Sequence, residues 1–171
     1  MKKGLFLLAC LLFCSIFIFA QKPAETESEW QKEYNLRVRK SVINGVYIPK
    51  DLNDALRELE KLVDSESKVK FKWQNEKKAV KNLHFSFGRW IQYNWSLYEG
   101  SRLSVYFQQI GVTYPDDISQ LIITAFHRKL NKINIDFPSL AKHFAEKRKE
   151  DHMKKIRGGE VIGEFKKSKN N

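Results

Sequence analysis

The residues best suited to chemistry or recognition are concentrated between His84 and Phe107, in the run HFSFGRWIQYNWSLYEGSRLSVYF. Eight of these twenty-four residues are aromatic, so rings are the first chemistry to account for. On a continuous α-helix, Phe87 and Trp90 fall on one apolar stripe with Ala79, Val80, Leu83 and Ile91. Burial alone explains them, as it explains Tyr106 and Phe107. Phe85, Tyr93, Trp95 and Tyr98 fall off that stripe. Rings outside a core, interleaved with Gln92, Asn94, Glu99 and Arg102, suit a surface that stacks on sugars or anchors a protein partner. The plain alternative is a second layer of chain that covers them. The candidate binding surface is therefore His84, Arg89, Trp95, Tyr98, Glu99 and Arg102, with His127 from further along.

Hydrolytic chemistry needs more than rings. Glycoside cleavage uses two carboxyl groups, about 5–9 Å apart, one of them an acid. Glu99 with Asp116 or Asp117 is the pair available in this region, and a glycan of the cell envelope would be its substrate. Helix capping accounts equally well for both aspartates, and Arg102 is the expected ion-pair partner of Glu99. Neither His84 nor His127 has a His, Asp or Glu three or four residues onward, so no helical metal pair is predicted. His127 is expected on the exposed side of its helix. Ser101 lacks a nucleophile elbow, no glycine-rich phosphate loop is present, and no cofactor is implied. A non-catalytic binding or interaction module is the favoured reading, with the hydrolase second.

The elements that position these residues read as helices. Asp51 is an N-cap for a helix from Leu52 to about Val63, with Leu52, Ala55, Leu56, Leu59, Leu62 and Val63 on one stripe. Residues 68–73 fit either a strand or a helix. The helical reading, favoured by the helix that follows, places Val69, Trp73 and Val80 on one face. A helix over about Glu76–Asn94 comes next. Ser101 caps a short helix carrying Leu103, Tyr106, Phe107 and Ile110, which Gly111 ends. Pro115-Asp116-Asp117 opens another, with Ile118, Leu121, Ile122, Ala125, Phe126 and Leu130 inward. Pro138-Ser139 opens a basic final helix in which Leu140 and Phe144 are apolar. Asn44-Gly45 between β-branched residues allows a small hairpin near 42–48. The expected fold is mainly α: a single compact domain of four or five short helices.

Composition and the first residues suggest a compartment. Lys2 and Lys3 precede an uncharged run, GLFLLACLLFCSIFIFA, that ends at Ala20, the layout of a secretory signal peptide. A retained anchor is less favoured, since seventeen helical residues span about 25 Å of a roughly 30 Å hydrocarbon layer. A lipidated Cys10 is likewise less favoured, because only Leu5–Ala9 would precede the cut. Cys10 and Cys14 are the only cysteines, so a chain cut after Ala20 has no disulfide, zinc thiolate or cysteine nucleophile. The expected organisation is a signal over 1–20, an exposed leader over 21–41, a domain over 42–132, a basic helix over 133–157 and a flexible tail over 158–171. Net charge is +11, with ten basic residues against five acidic from Lys142 onward. Outside the cytoplasm this favours weak contact with anionic surfaces over nucleic acid, which is not expected.

The residues also resemble a known family. Tyr47-Ile48-Pro49 followed by Asp51-Leu52-Asn53-Asp54-Ala55 begins the pattern. His84-Phe85, Gly88, Trp90-Ile91, Asn94-Trp95, Gly100-Ser101-Arg102-Leu103 and Tyr106-Phe107 continue it, and Pro115-Asp116-Asp117 with His127-Arg128 and Leu130-Asn131 complete it. This combination resembles a domain of unknown function found in small, often exported bacterial proteins, and covers about 42–132. The resemblance implies no reaction, cofactor or partner. Ser86, Tyr98 and Phe126 depart from its pattern, where Gly, Trp and Tyr are expected.

Overall fold

The computed structural model describes residues 26–158. The segment read as a signal, both cysteines, the first part of the segment read as a leader and the residues beyond Gly158 lie outside the described residues. The chain divides into two units, Met1–Glu33 and Tyr34–Asn171. In the first, the described residues are the start of helix α1 (Glu27–Arg37), a helix in which no residue is buried.

The second unit is mainly helical. After the end of α1 come β1 (Val42–Ile43) and β2 (Val46–Tyr47), paired antiparallel with Val42 opposite Tyr47. Asn44 and Gly45 between them both have positive φ, 49° and 76°, the backbone a two-residue type I′ hairpin turn requires. The helices are α2 (Leu52–Leu62), α3 (Ser65–Lys72), α4 (Glu76–Leu83), α5 (Arg89–Asn94), α6 (Arg102–Gln109), α7 (Pro115–Leu130) and α8 (Phe137–Arg157). A π-helical turn, His84–Gly88, joins α4 to α5 without a break. Counting that stretch once, the described residues form seven helices, more than the four or five expected. The extra ones are α1, in the segment read as leader, and α3, whose alternating lysines left its conformation open.

Capping follows side-chain chemistry. Asp51, Asp64, Asn75 and Asp136 each accept from the backbone N–H three residues on. Ser101 and Ser104 form a reciprocal capping box at α6. Pro115 occupies the first turn of α7, where its missing N–H costs nothing.

Helix α7 is the centre of the unit. From Asp117 to His127 every residue except Gln120 is buried, including the polar Ser119, Thr124 and His127. A helix buried all round has no solvent face. His127 is therefore not exposed as expected. Its ring packs edge-on against Phe71 at 5.1 Å. Ile48, Leu56, Leu59, Phe71, Ala79, Ile91, Leu103, Phe107, Leu140 and Phe144 belong to the core that surrounds it.

The π turn corrects a second expectation. It inserts one residue into the helical register, which sets everything after it back by about 100°. Trp95, off the stripe on an unbroken α-helix, is thereby turned inward and fully buried, and Gln92 is buried with it. Tyr93 and Arg89 are turned outward, and Phe87 and Trp90 are only half buried. On α3 the helical reading holds but the face does not. Phe71 points into the core, and Val69 and Trp73, two residues to either side, point to solvent.

Candidate functional site

The two ends of α7 each gather polar groups. At its C-terminal end the contacts close on one another. His127 Nε2 lies 2.9 Å from the Gln74 carbonyl, Asn131 donates to the Lys72 carbonyl, and Arg128 makes a fork of two 2.9 Å bonds with Glu76. Hydrogen bonding to Glu76 raises the Arg128 pKa against the opposing effect of burial. These residues clamp the α3–α4 connection. They act as structural pins, and His127, a candidate surface residue by sequence, is one of them.

A similar clamp holds the hairpin to α2. Asp54 accepts from the Tyr47 hydroxyl at 2.8 Å, from the Lys50 N–H and from Arg57. Burial works against ionising Asp54, but these hydrogen bonds outweigh it and hold the carboxyl below its ordinary range. Arg102 lies over the Tyr47 ring and donates Nε–H to the Ile48 carbonyl at 2.7 Å. It makes no ion pair with Glu99, contrary to expectation. The exposed Glu99 instead offers its backbone carbonyl to Arg37, at 2.9 Å. The local cause is Gly100, whose positive φ of 92° turns the chain sharply and whose bare α-carbon faces the Tyr34 ring.

At the N-terminal end of α7 the arrangement is different. Gln92, buried, donates its amide N–H to Asp116 Oδ1 at 3.0 Å and to Ser119 Oγ at 2.8 Å. Its carbonyl oxygen accepts from the Tyr98 hydroxyl at 3.2 Å. His84, in the π turn, places Nε2 4.0 Å from Asp116 Oδ1, and its ring meets Phe85 edge-on at 4.7 Å. The result is a connected row: Phe85, His84, Asp116, Gln92, Tyr98. Phe85 is 74% exposed and Tyr98 65%, Asp116 is half exposed, and the connecting amide is hidden beneath them. The His84 Nδ1 is buried and without a hydrogen-bond partner. His127 Nδ1 and Arg102 Nη2 in the clamps are likewise buried without a partner, so what sets this row apart is a half-exposed carboxylate beside exposed rings.

Two polar neighbours of the row are committed to the fold. Ser119 is fully buried, and its hydroxyl donates to the Asp116 carbonyl while accepting from Gln92, so it is not a free nucleophile. Asp117 is also committed, because Arg148 of α8 forks onto both of its oxygens at 2.6 and 2.8 Å. The same guanidinium stacks on Tyr114 at 4.4 Å.

Of the residues singled out from sequence, His84, Tyr98 and Asp116 come together here. Trp95 is in the core, Arg102 and His127 are pins, and Arg89 and Glu99 are exposed. Sequence reasoning missed Gln92 and Ser119 as the groups that organise the row. The one available signal was Gly88 inside a helical pattern. A Cβ there would stand 3.5 Å from Ser119 Oγ and 3.7 Å from His84 Nδ1, so the glycine marks the close approach of α7 to the π turn.

The span from the hairpin's end through α7 is also a unit in sequence comparison: residues 48–130 match the family described as Domain of unknown function (DUF6794). That match takes in 83 of the chain's 171 residues. Its limits agree with the 42–132 expected from the motif residues. The matched span contains the whole Phe85–Tyr98 row and both clamps except Tyr47 and Asn131, while α8, which contributes Arg148, lies beyond it. No curated protein and no solved structure matches the chain.

Proposed function

We propose that the domain spanning this match is a non-catalytic binding module of the cell envelope, and that the row Phe85–His84–Asp116–Gln92–Tyr98 takes a glycan. The observation that carries this reading is the buried Gln92, which fixes an exposed ring and a half-exposed carboxylate relative to each other through its own two ends. Fixed rings stack on sugar faces, while a carboxylate and an imidazole bind hydroxyls. Of the two pairs in the hydrolase alternative, Glu99 with Asp117 is weakened because Arg148 holds both Asp117 oxygens, which leaves Glu99 with Asp116.

The test is retention on insoluble envelope polysaccharide. Phe85→Ala removes an exposed ring and should melt as the parent does, whereas Tyr98→Ala also frees the buried Gln92 carbonyl oxygen and should melt somewhat lower while staying folded. Each should weaken retention by about tenfold, the factor for ~1.4 kcal/mol. Equal retention by parent and variants contradicts the proposal. Retention of a specific envelope protein in place of glycan would move the ligand class and keep the site. Release of sugar fragments by the parent but not by a Glu99→Gln variant would favour the hydrolase.

Export belongs to the same proposal and rests on the run from Lys2 to Ala20. Mass spectrometry of the fractionated protein should find a chain beginning near Gln21 outside the cytoplasm. An intact Met1 on a cytosolic chain refutes it.

A further inference from the structure

Helix α3 presents a surface that neither the fold nor the Phe85–Tyr98 row uses. Phe71 anchors it to the core, stacked on Phe126 at 5.9 Å. At about 100° per residue, Val69 and Trp73 lie roughly 160° from Phe71 on either side, facing outward together. Val69 is 54% exposed and Trp73 82%, the most exposed of the large apolar side chains described. Lys70 and Lys72 flank that pair at roughly 100° from Phe71.

The charge around this ridge is one-sided. Residues 64–81 hold six lysines against three carboxylates, and all three carboxylates are occupied. Asp64 caps α3, Glu66 pairs with Lys70, and Glu76 is held by Arg128. The neighbouring Glu60 of α2 is taken by Lys129 at 2.8 Å. Lys72, Lys77, Lys78 and Lys81 therefore remain exposed, with no ion pair among the described residues. An indole beside uncompensated lysines fits the boundary of a membrane. The ring partitions to the headgroup level while the ammonium groups meet lipid phosphates, and the lysine stems lie along the apolar surface.

We propose that α3 docks this domain on anionic lipid, with Trp73 and Val69 at the headgroup level and Lys72, Lys77 and Lys78 on the phosphates. The attraction is screened over about 8 Å at physiological ionic strength, so the contact is reversible and salt-sensitive. It is independent of the basic α8 and of ligand binding at the row.

The experiment reads contact of Trp73 itself, because the apolar run before Gln21 can attach the full chain to any bilayer. The full chain is mixed with vesicles of phosphatidylcholine alone, or with one third phosphatidylglycerol, carrying lipids brominated near the headgroup. A Trp73→Phe variant supplies the fluorescence of the other three tryptophans for subtraction. The Trp73 component should be quenched on anionic vesicles at low salt. That quenching should fall at least fivefold in high salt, on neutral vesicles, and in a Lys72→Glu/Lys77→Glu/Lys78→Glu variant that still melts with the parent. Quenching equal on both vesicle types, or unchanged by the triple substitution, overturns the proposal. So does absence of quenching together with tight binding to a soluble anionic polysaccharide, which would make the lysines a polyanion site.

Discussion

The two ends of α7 carry similar residue types and use them differently. At the C-terminal end, His127, Arg128 and Asn131 meet Glu76 and the carbonyls of Lys72 and Gln74, and both oxygens of Glu76 are taken by Arg128. At the N-terminal end, His84 and Asp116 stand 4.0 Å apart, short of a good hydrogen bond, with exposed rings beside them. A histidine and a carboxylate thus make a fastening in one place and an open site in the other. The difference lies in how many of their hydrogen-bonding positions the rest of the chain has already filled. Identity of the residue is a poor guide to its role, and occupancy of its partners is a better one.

That contrast can be broken by substitution, and the largest effect should come from the closed end. His127→Ala removes a buried ring from Phe71 and frees the Gln74 carbonyl, which should cost about 2–3 kcal/mol in urea unfolding at unchanged slope. Arg128→Ala should cost less, about 1–2 kcal/mol, because the Arg128–Glu76 pair is partly exposed and screened. A loss below 0.5 kcal/mol for both would mean that this end is no clamp.

The hairpin clamp extends the comparison to pH. Asp54 has a folded pKa below its ordinary value, so its contribution to stability is complete above about pH 4 and is lost as pH falls through the folded value. The parent should therefore lose stability on acidification below pH 4. Asp54→Asn should be less stable at neutral pH, with the gap narrowing as the parent titrates. A gap that stays constant from pH 6 to pH 2.5 would show that the ionised form of Asp54 does not fasten the hairpin.

The N-terminal end contains one fastening of its own, the Asp117–Arg148 fork, which ties α8 to the DUF6794 span. Arg148→Ala should lower stability by about 1 kcal/mol and leave ligand retention alone. The smallest stability effect belongs to the open site. Asp116→Asn keeps the size of a half-exposed side chain and should change unfolding by less than about 0.5 kcal/mol while weakening glycan retention. If Asp116→Asn destabilised the protein as much as His127→Ala, the two ends would be alike and the site reading would fail.

Much of the helical skeleton was legible because its signals are local. Asp51, Ser101 and Pro115 mark starts by hydrogen-bonding chemistry that needs no tertiary context, and Asn44-Gly45 marks a turn by its tolerance of positive φ. The inward face of α7 followed from periodicity, but its remaining faces did not, since nothing in its own residues reveals that neighbours surround it. The open site was partly legible through His84, Tyr98 and Asp116. Gln92 and Trp95 were misplaced by one cause, the π turn, whose extra residue re-aims every side chain after it. Arg102 was given to Glu99 by proximity in sequence, whereas Gly100 folds the chain so that Arg102 reaches Tyr47 instead. The Arg102 contact joins residues 54 apart and the Gln92 contacts join residues 24 and 27 apart, separations that a linear reading does not see.

The most direct test of the contrast is a map of backbone and side-chain chemical shifts in the full chain as soluble envelope glycan fragments are added. Perturbations should gather at His84, Phe85, Gln92, Tyr98 and Asp116, with the imidazole of His84 among the largest, while His127, Arg128 and Asn131 stay still. Shifts centred on His127 to Asn131, or no saturable shift at the Phe85–Tyr98 row, would contradict the account.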